Sequence, residues 1–284
     1  MFTTRLISGI ILVLLAVLFV GKGGLILFGV TALISVVGLF ELDRVLGIEN
    51  RSVGAVGYIT ALSYYGILWW EGHEYLNLMI ILCLMVLMGL YVFTFPKYKT
   101  EEITGAFFGV CYVPVMLSFL YQTREMQDGV YLVWLIFLSS WGCDTCAYCS
   151  GMLLGKHKLA PVLSPKKSIE GAIGGTLGSA ILGLIYAWIF GSRMHGIEEP
   201  VIACTAACAI AAVISQIGDL AASAIKRNHK VKDYGHIIPG HGGILDRFDS
   251  MIFTAPAIYF VLTFLPLSFS QFISSFMVAP SLYR

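Results

Sequence analysis

An all-α, polytopic integral membrane fold of about nine transmembrane helices is what this sequence predicts, with a polar site at the cytoplasmic side of the C-terminal half. Three observations predict it. Of 284 residues, 58% are hydrophobic and only 12% charged, against about 25% charged in a soluble domain, and the mean hydropathy is +0.84. That leaves too little polar surface to cover a globule in water. Apolar runs of spanning length recur along the whole chain. The polar residues, finally, gather in two stretches, Cys143 to Ser168 and Ser223 to Asp249.

A spanning helix needs about 20 mostly apolar residues, and the runs that qualify are 4–20, 24–40, 53–70, 76–94, 103–121, 129–142, 169–190, 201–222 and 250–268. The first begins at Arg5 and Leu6. No small-x-small cleavage site follows it, because Gly21-Lys22-Gly23-Gly24 leads straight into the next run. It therefore reads as a retained span rather than a removed signal peptide. Turn-like or charged connectors follow the second to fifth and the seventh runs: Glu41 to Ser52, Glu71 to Tyr75, Pro96 to Glu102, Thr123 to Gly129 and Gly191 to Pro200. The sixth run shades into a cysteine-rich segment. In the seventh, Gly171, Gly174, Gly175, Gly178, Ser179 and Gly183 place small residues four apart, a spacing that lets helix backbones approach closely. Tight helix packing suffices to explain it. With no repeat and no soluble linker, two regions follow: 1–128 with spans one to five, and 129–284 with spans six to nine and both polar loops.

Lys and Arg placement predicts orientation. With nine spans, 14 of the 18 fall on the side of the N-terminus and the two polar loops, and four on the other. The N-terminus and both loops should then face the cytoplasm, and the C-terminus should lie outside. The net charge of +1 makes no case for nucleic acid. The seven cysteines are odd in number and lie mostly in apolar runs, which argues against a disulfide framework. Cys143, Cys146 and Cys149 make two overlapping C-x-x-C spacings, but no second Cys/His pair follows at zinc spacing. Small apolar packing is the favoured role for these thiols.

Three polar groups carry candidate chemistry. Asp219 sits near the end of an apolar span, where a carboxylate is costly and marks a functional site unless it snorkels or pairs with a Lys. The segment around His241, Gly242, Gly243, Asp246, Arg247 and Asp249 follows Pro239, and its glycines free backbone N–H groups to meet an anion. Asp246 and Asp249, three apart, share one face of a helix. Carboxylates beside Lys226, Arg227 and Arg247 supply what a Mg²⁺–nucleotide site requires: hard oxygen ligands and phosphate-facing cations. A basic loop touching anionic headgroups would leave the glycines and acids unexplained. The third group is Asp144 with Ser164, Lys166 and Lys167. Ser168 and Glu170 resemble a helix start, itself an anion site, although the spacing misses a capping box.

These residues carry a resemblance. Ser223-Ala-Ile225-Lys226-Arg227, then Lys232-Asp233-Tyr-Gly235 through Pro239-Gly-His241-Gly242-Gly243-Ile244-Leu-Asp246-Arg247-Phe248-Asp249, resembles the diagnostic motif of the phosphatidate cytidylyltransferases, the CDP-diacylglycerol synthases. Every defined position of that motif is met. A second block, Asp144 to Lys158 and Ser164 to Gly171, is similar to the family's other recurring segment. The resemblance covers roughly residues 130 to 268; the first half matches only as generic spans. Cys143 and Cys146 stand where the family usually has small residues, and Ser168 and Ile169 where it often has Thr and Trp. Neither departure removes a charge.

The resemblance implies the reaction CTP + phosphatidate → CDP-diacylglycerol + pyrophosphate, with the lipid drawn from the bilayer. It implies catalytic roles for Asp219, Asp246, Lys167 and Arg247, and divalent metal (Mg²⁺ or Mn²⁺) on Asp144, Asp219 and Asp246. Ser164, Lys166, Lys226, Arg227, His241, Gly242, Gly243 and Asp249 would bind substrate, with Asp249 a second or alternate ligand. The alternative for His241 is a loop histidine satisfied by backbone, and the functional role is the favoured one. A monovalent co-ion and a homodimer stay open. Similarity to the bacterial members implies the cytoplasmic (inner) membrane. Two rivals remain. A transporter shares glycine-broken helices with intramembrane acids, but its usual related halves are missing. A CDP-alcohol phosphotransferase would need a D-G-x-x-A-R core, which the chain lacks.

Overall fold

The computed structural model describes the backbone of residues 2–264 except 71 and 241, and the side chains of these except 2–6 and 73. The expectations for the end of the ninth span, for the C-terminus and for His241 lie outside the described residues. Nine helical rods follow one another among the described residues: α1 (Phe2–Lys22), α2 (Gly24–Leu46), α3 (Ser52–Trp69), α4 (Leu76–Phe93), α5 (Thr100–Glu125), α6 (Gly129–Leu154), α7 (Ile169–Phe190), α8 (Pro200–Asn228) and α9 (Leu245–Phe264). Six of them, α2 and α4 to α8, are long and apolar enough to cross a membrane. The protein is an integral membrane protein. The one sheet among the described residues is a hairpin of β1 (Lys158–Ala160) and β2 (Ser164–Ser168), antiparallel, between α6 and α7.

Three helices run further than the apolar pattern suggests. α2 passes through Glu41, Asp43 and Arg44 and stops at Gly47, whose φ of 73° supplies a left-handed cap. The stretch from Glu41 is therefore helix for another turn and a half, not a connector. α6 likewise carries Cys143 to Leu154, so half of the first polar stretch is a helix, not a loop. α8 continues to Asn228. Charge misleads at Glu41 in particular, because its carboxylate is satisfied by backbone N–H groups of another helix and not by water.

Two rods contain a π-helical turn. Pro114 lies within the one in α5, where its missing N–H breaks the regular ladder. The one in α6, Leu138–Gly142, ends one residue before Cys143 and two before Asp144.

Packing divides by side-chain size. α7 buries Gly171, Gly175, Ser179, Gly183 and Ala187, four apart, as the small-residue spacing predicts. A Cβ on Gly175 would come within 3.0 Å of the Cys143 carbonyl in α6, and one on Gly183 within 2.8 Å of the Cys204 carbonyl in α8. So α7 lies pressed between α6 and α8. A cluster of larger residues, including Leu42, Tyr112, Leu117, Tyr234, Leu245 and Ile252, joins α2, α5 and α9 beneath the segment between α8 and α9.

Candidate functional site

The segment 229–244 is built around Asp246, on the first turn of α9. Its Oδ2 accepts the Tyr234 N–H at 2.7 Å and the Gly243 N–H at 3.0 Å, and its Oδ1 meets Lys226 Nζ at 2.9 Å. Gly242 has φ 88°, and a Cβ there would lie 2.9 Å from Asp246 Oδ2. Here glycine is needed twice, for the turn and for the carboxylate's approach. Lys226 also reaches toward Asp249 Oδ2 at 3.9 Å, so the two acids three apart share one cation. Tyr234 completes the frame: its hydroxyl donates to the Ala222 carbonyl at 3.0 Å, and burial pushes its phenol well above the usual tyrosine range. It stays a neutral donor.

A second anchor comes from the N-terminal half. Glu41 of α2, fully buried, accepts the N–H groups of Ile244 at 3.1 Å and Leu245 at 2.8 Å. Its carboxylate thus occupies the N-terminus of α9, where orphan amides and the helix dipole favour an anion. Arg44, one turn further on, donates to the Tyr234 carbonyl at 2.7 Å. Gly235 and Gly243 flank Glu41 so closely that a Cβ on either would collide with its carboxylate. Sequence reading missed Glu41 and Arg44, having placed them in a connector. The available signal was their spacing of three at the end of a helix.

Of the remaining predicted residues, Asp219 shows the pairing with a lysine that the sequence left open as its plainer role. Lys167 forms an ion pair with Asp219 that joins β2 to α8. Asp144, Asp219, Lys167 and Arg247 are near enough to interact electrostatically. Ser168 caps α7 by accepting the Gly171 N–H at 3.1 Å, while Glu170 turns back to His157 and to the backbone N–H groups of Lys156 and His157. Lys166 and Arg227 are exposed. Ser164, at the start of β2, lines none of the cavities below.

Three cavities meet among these residues. One of about 510 Å³ lies under the loop, lined by Lys232, Asp233, His236, Pro239, Gly242 and Arg247. A second, about 420 Å³, is bounded by Asp144, Asp246, Arg247 and Asp249 and by Leu12 and Val13 of α1. The third, about 290 Å³, holds Asp144, Lys166, Lys167 and Ser168. Arg247 borders the first two and Asp144 the last two. The Nε of Arg247 is buried with no hydrogen-bond partner among the described residues, an unsatisfied donor.

For a divalent cation the donor chemistry fits: of the predicted ligands, Asp144 and Asp246 offer hard carboxylate oxygens to one cavity beside Asp249. Asp219 lies outside that cavity's lining, paired with Lys167. Asp246 keeps lone-pair capacity on Oδ1 after its bond to Lys226. Among the described residues, however, no three His, Cys, Asp or Glu side chains are gathered as a metal-holding group. The cysteines make no such group either. Cys143 is buried, Cys146 packs on Gly178, Cys149 is exposed, and all are free thiols.

The described residues thus form a helical bundle whose polar end unites acids, lysines and arginines around adjoining cavities. A family model described as the cytidylyltransferase family matches residues 3–265. The chain is 34% identical over 262 residues to a phosphatidate cytidylyltransferase of Staphylococcus aureus (strain COL), covering 91% of this chain and 98% of that protein. Against one from Staphylococcus saprophyticus it is 35% identical, covering 85% and 91%. One from Staphylococcus epidermidis is 33% identical, covering 91% and 98%. The chain belongs to the cytidylyltransferase family.

Proposed function

We propose that this protein joins CTP to phosphatidate, making CDP-diacylglycerol and pyrophosphate, with its polar site facing the cytoplasm across a bacterial inner membrane. The observation that carries the reading is the pair of cavities on either side of Asp144 and Arg247. One is a polar chamber under a glycine-rich loop, suited to a nucleotide. The other holds Lys166 and Lys167 at the N-terminus of a membrane helix, suited to a lipid phosphate. The names of the relatives support it, and so does the excess of Lys and Arg on one side.

In this reading a phosphate oxygen of phosphatidate forms a bond to the α-phosphorus of CTP while the bond from that phosphorus to pyrophosphate breaks. The lipid phosphate is already largely ionised near neutral pH, its second pKa being about 6 by analogy with phosphoserine, so no strong base is required. Catalysis then rests on positioning and on electrostatic stabilisation. Arg247, which lines two of the cavities, would direct its guanidinium toward phosphate, and Lys167 would exchange Asp219 for a substrate oxygen. Lys226 is held by Asp246, which makes it the neutralising centre of the loop; Arg227 and Lys166 would draw phosphates in from the surface. Asp144, Asp219 and Asp246 would hold Mg²⁺ or Mn²⁺. Bound there, the cation would offset the negative charge of the phosphates.

Purified protein in detergent, given labelled CTP and phosphatidate, should move label into the chloroform-soluble fraction. Absence of lipid label would sink the reaction, and a transporter would give none. Activity undiminished by EDTA would remove the metal from the reading while leaving the reaction.

A further inference from the structure

Resting on that reading, we propose that the groove between α7 and α8 receives an acyl chain of the lipid substrate. The groove has a volume of about 400 Å³ and is walled by Ile173 and Leu177 of α7 and Val213 and Ile217 of α8. It adjoins the Lys166–Lys167 cavity: Leu159, Ala172 and Gln216 line both. The combined shape is amphipathic in the order a phosphate lipid requires: cations and a capped helix N-terminus at one end, hydrocarbon at the other.

Charge favours this route over the one beside α1. The cavity there also has apolar residues on one wall, but its lining carries Asp144, Asp246 and Asp249 against Arg247 and the Lys226 that pairs with Asp246 and Asp249. Before a metal is bound, an anion entering by that side meets three acids and two cations, whereas at the Lys166–Lys167 cavity two lysines face Asp144 and the Asp219 that pairs with Lys167.

The seam itself is built so that no polar atom spoils the groove. Gln216 turns its amide inward, donating to Thr176 Oγ1 at 3.0 Å and to the carbonyls of Ala172 and Ala212 at 3.3 Å. Leu159 of the hairpin covers the junction from above. On α8 the groove runs from Val213 to Leu220, about 10 Å at 1.5 Å per residue. It therefore grips the part of the chain nearest the glycerol and leaves the remainder in the bilayer.

Leu177→Trp and Val213→Trp would fill the groove from residues that face lipid and lie outside the polar site. With dioleoyl phosphatidate in mixed micelles, kcat/KM should fall on the order of tenfold. With dihexanoyl phosphatidate, and for the KM of CTP, the change should stay within about twofold. Equal losses on both lipids, or no loss on either, would overturn the groove. An unsubstituted enzyme inactive on both lipids would instead overturn the reaction and the groove with it. As a check independent of variant folding, phosphatidate carrying a photoreactive group near the glycerol end of its chain should label residues 172–177 and 213–220 of the unsubstituted protein. Labelling confined to α1 or α4 would overturn the assignment.

Discussion

In the first five helices, Glu41 and Asp43 are buried on α2 without a cation at ion-pair distance among the described residues. In the last four, Asp219, Asp246 and Asp249 each meet a lysine. The two regions use the same chemical group differently. Glu41 is satisfied by backbone amides of another helix, which fixes geometry and offers no ligand an easy way in. The acids of α8 and α9 face lysines, and a phosphate or a cation can divide such pairs. The N-terminal helices hold the site's shape; the C-terminal helices hold its exchangeable charge.

The substitution with the largest expected effect removes the point where both roles coincide. Asp246→Ala takes away the carboxylate that accepts two backbone N–H groups and the nearest partner of Lys226, whose side chain is only 14% exposed. Removing one partner of a buried pair costs about 3–5 kcal/mol, less here because Asp249 Oδ2 still lies 3.9 Å from Lys226. CTP turnover should drop on the order of 10³-fold or more, and thermal unfolding in detergent should move down by several degrees. Near-normal turnover would show that the loop needs no central carboxylate.

Glu41→Gln tests the N-terminal region. The variant keeps the shape but presents an amide to the first turn of α9, where the dipole favours negative charge. One acceptor oxygen survives, so the expected loss is on the order of 10- to 100-fold in kcat, equivalent to about 1.4–3 kcal/mol. Glu41 touches no cavity of the site, so added Mg²⁺ should not restore the rate. Restoration by Mg²⁺ would move Glu41 out of the positioning role and into metal binding.

Much of this contrast was legible in the sequence, but unevenly. Hydropathy locates the helices, and the cost of placing a charge in a membrane singles out Asp219. The small-residue spacing of α7 translates directly into its buried face. The Glu41 contact was not legible, because it joins residues 203 and 204 positions apart and a Glu-x-Asp-Arg string after an apolar run reads as a loop. Nor does sequence disclose that Asp246 spends three contacts on Tyr234, Gly243 and Lys226. The glycines at 242 and 243 read as an anion turn, whereas the Gly243 N–H is already directed at that carboxylate. Periodicity reports which face is buried; it carries no information on which distant backbone a polar side chain will serve.

Arg44→Met is the smallest of these tests and the sharpest for the division of roles. Arg44 is exposed, lies 6.0 Å from the Phe40 ring and makes one bond to the Tyr234 carbonyl. Methionine retains much of the apolar stem that packs along α2, so what is lost is one hydrogen bond from a charged donor. Such a bond contributes about 1.5–3 kcal/mol when buried and less when water competes. Tyr234 keeps its other anchors to Asp246 and Ala222. Turnover should therefore fall by less than about tenfold, with the KM for CTP rising as the loop loosens and kcat little changed. A variant as damaged as Asp246→Ala would mean that Arg44 itself meets substrate phosphate, and the line drawn between a shaping half and a reacting half would have to move to include α2.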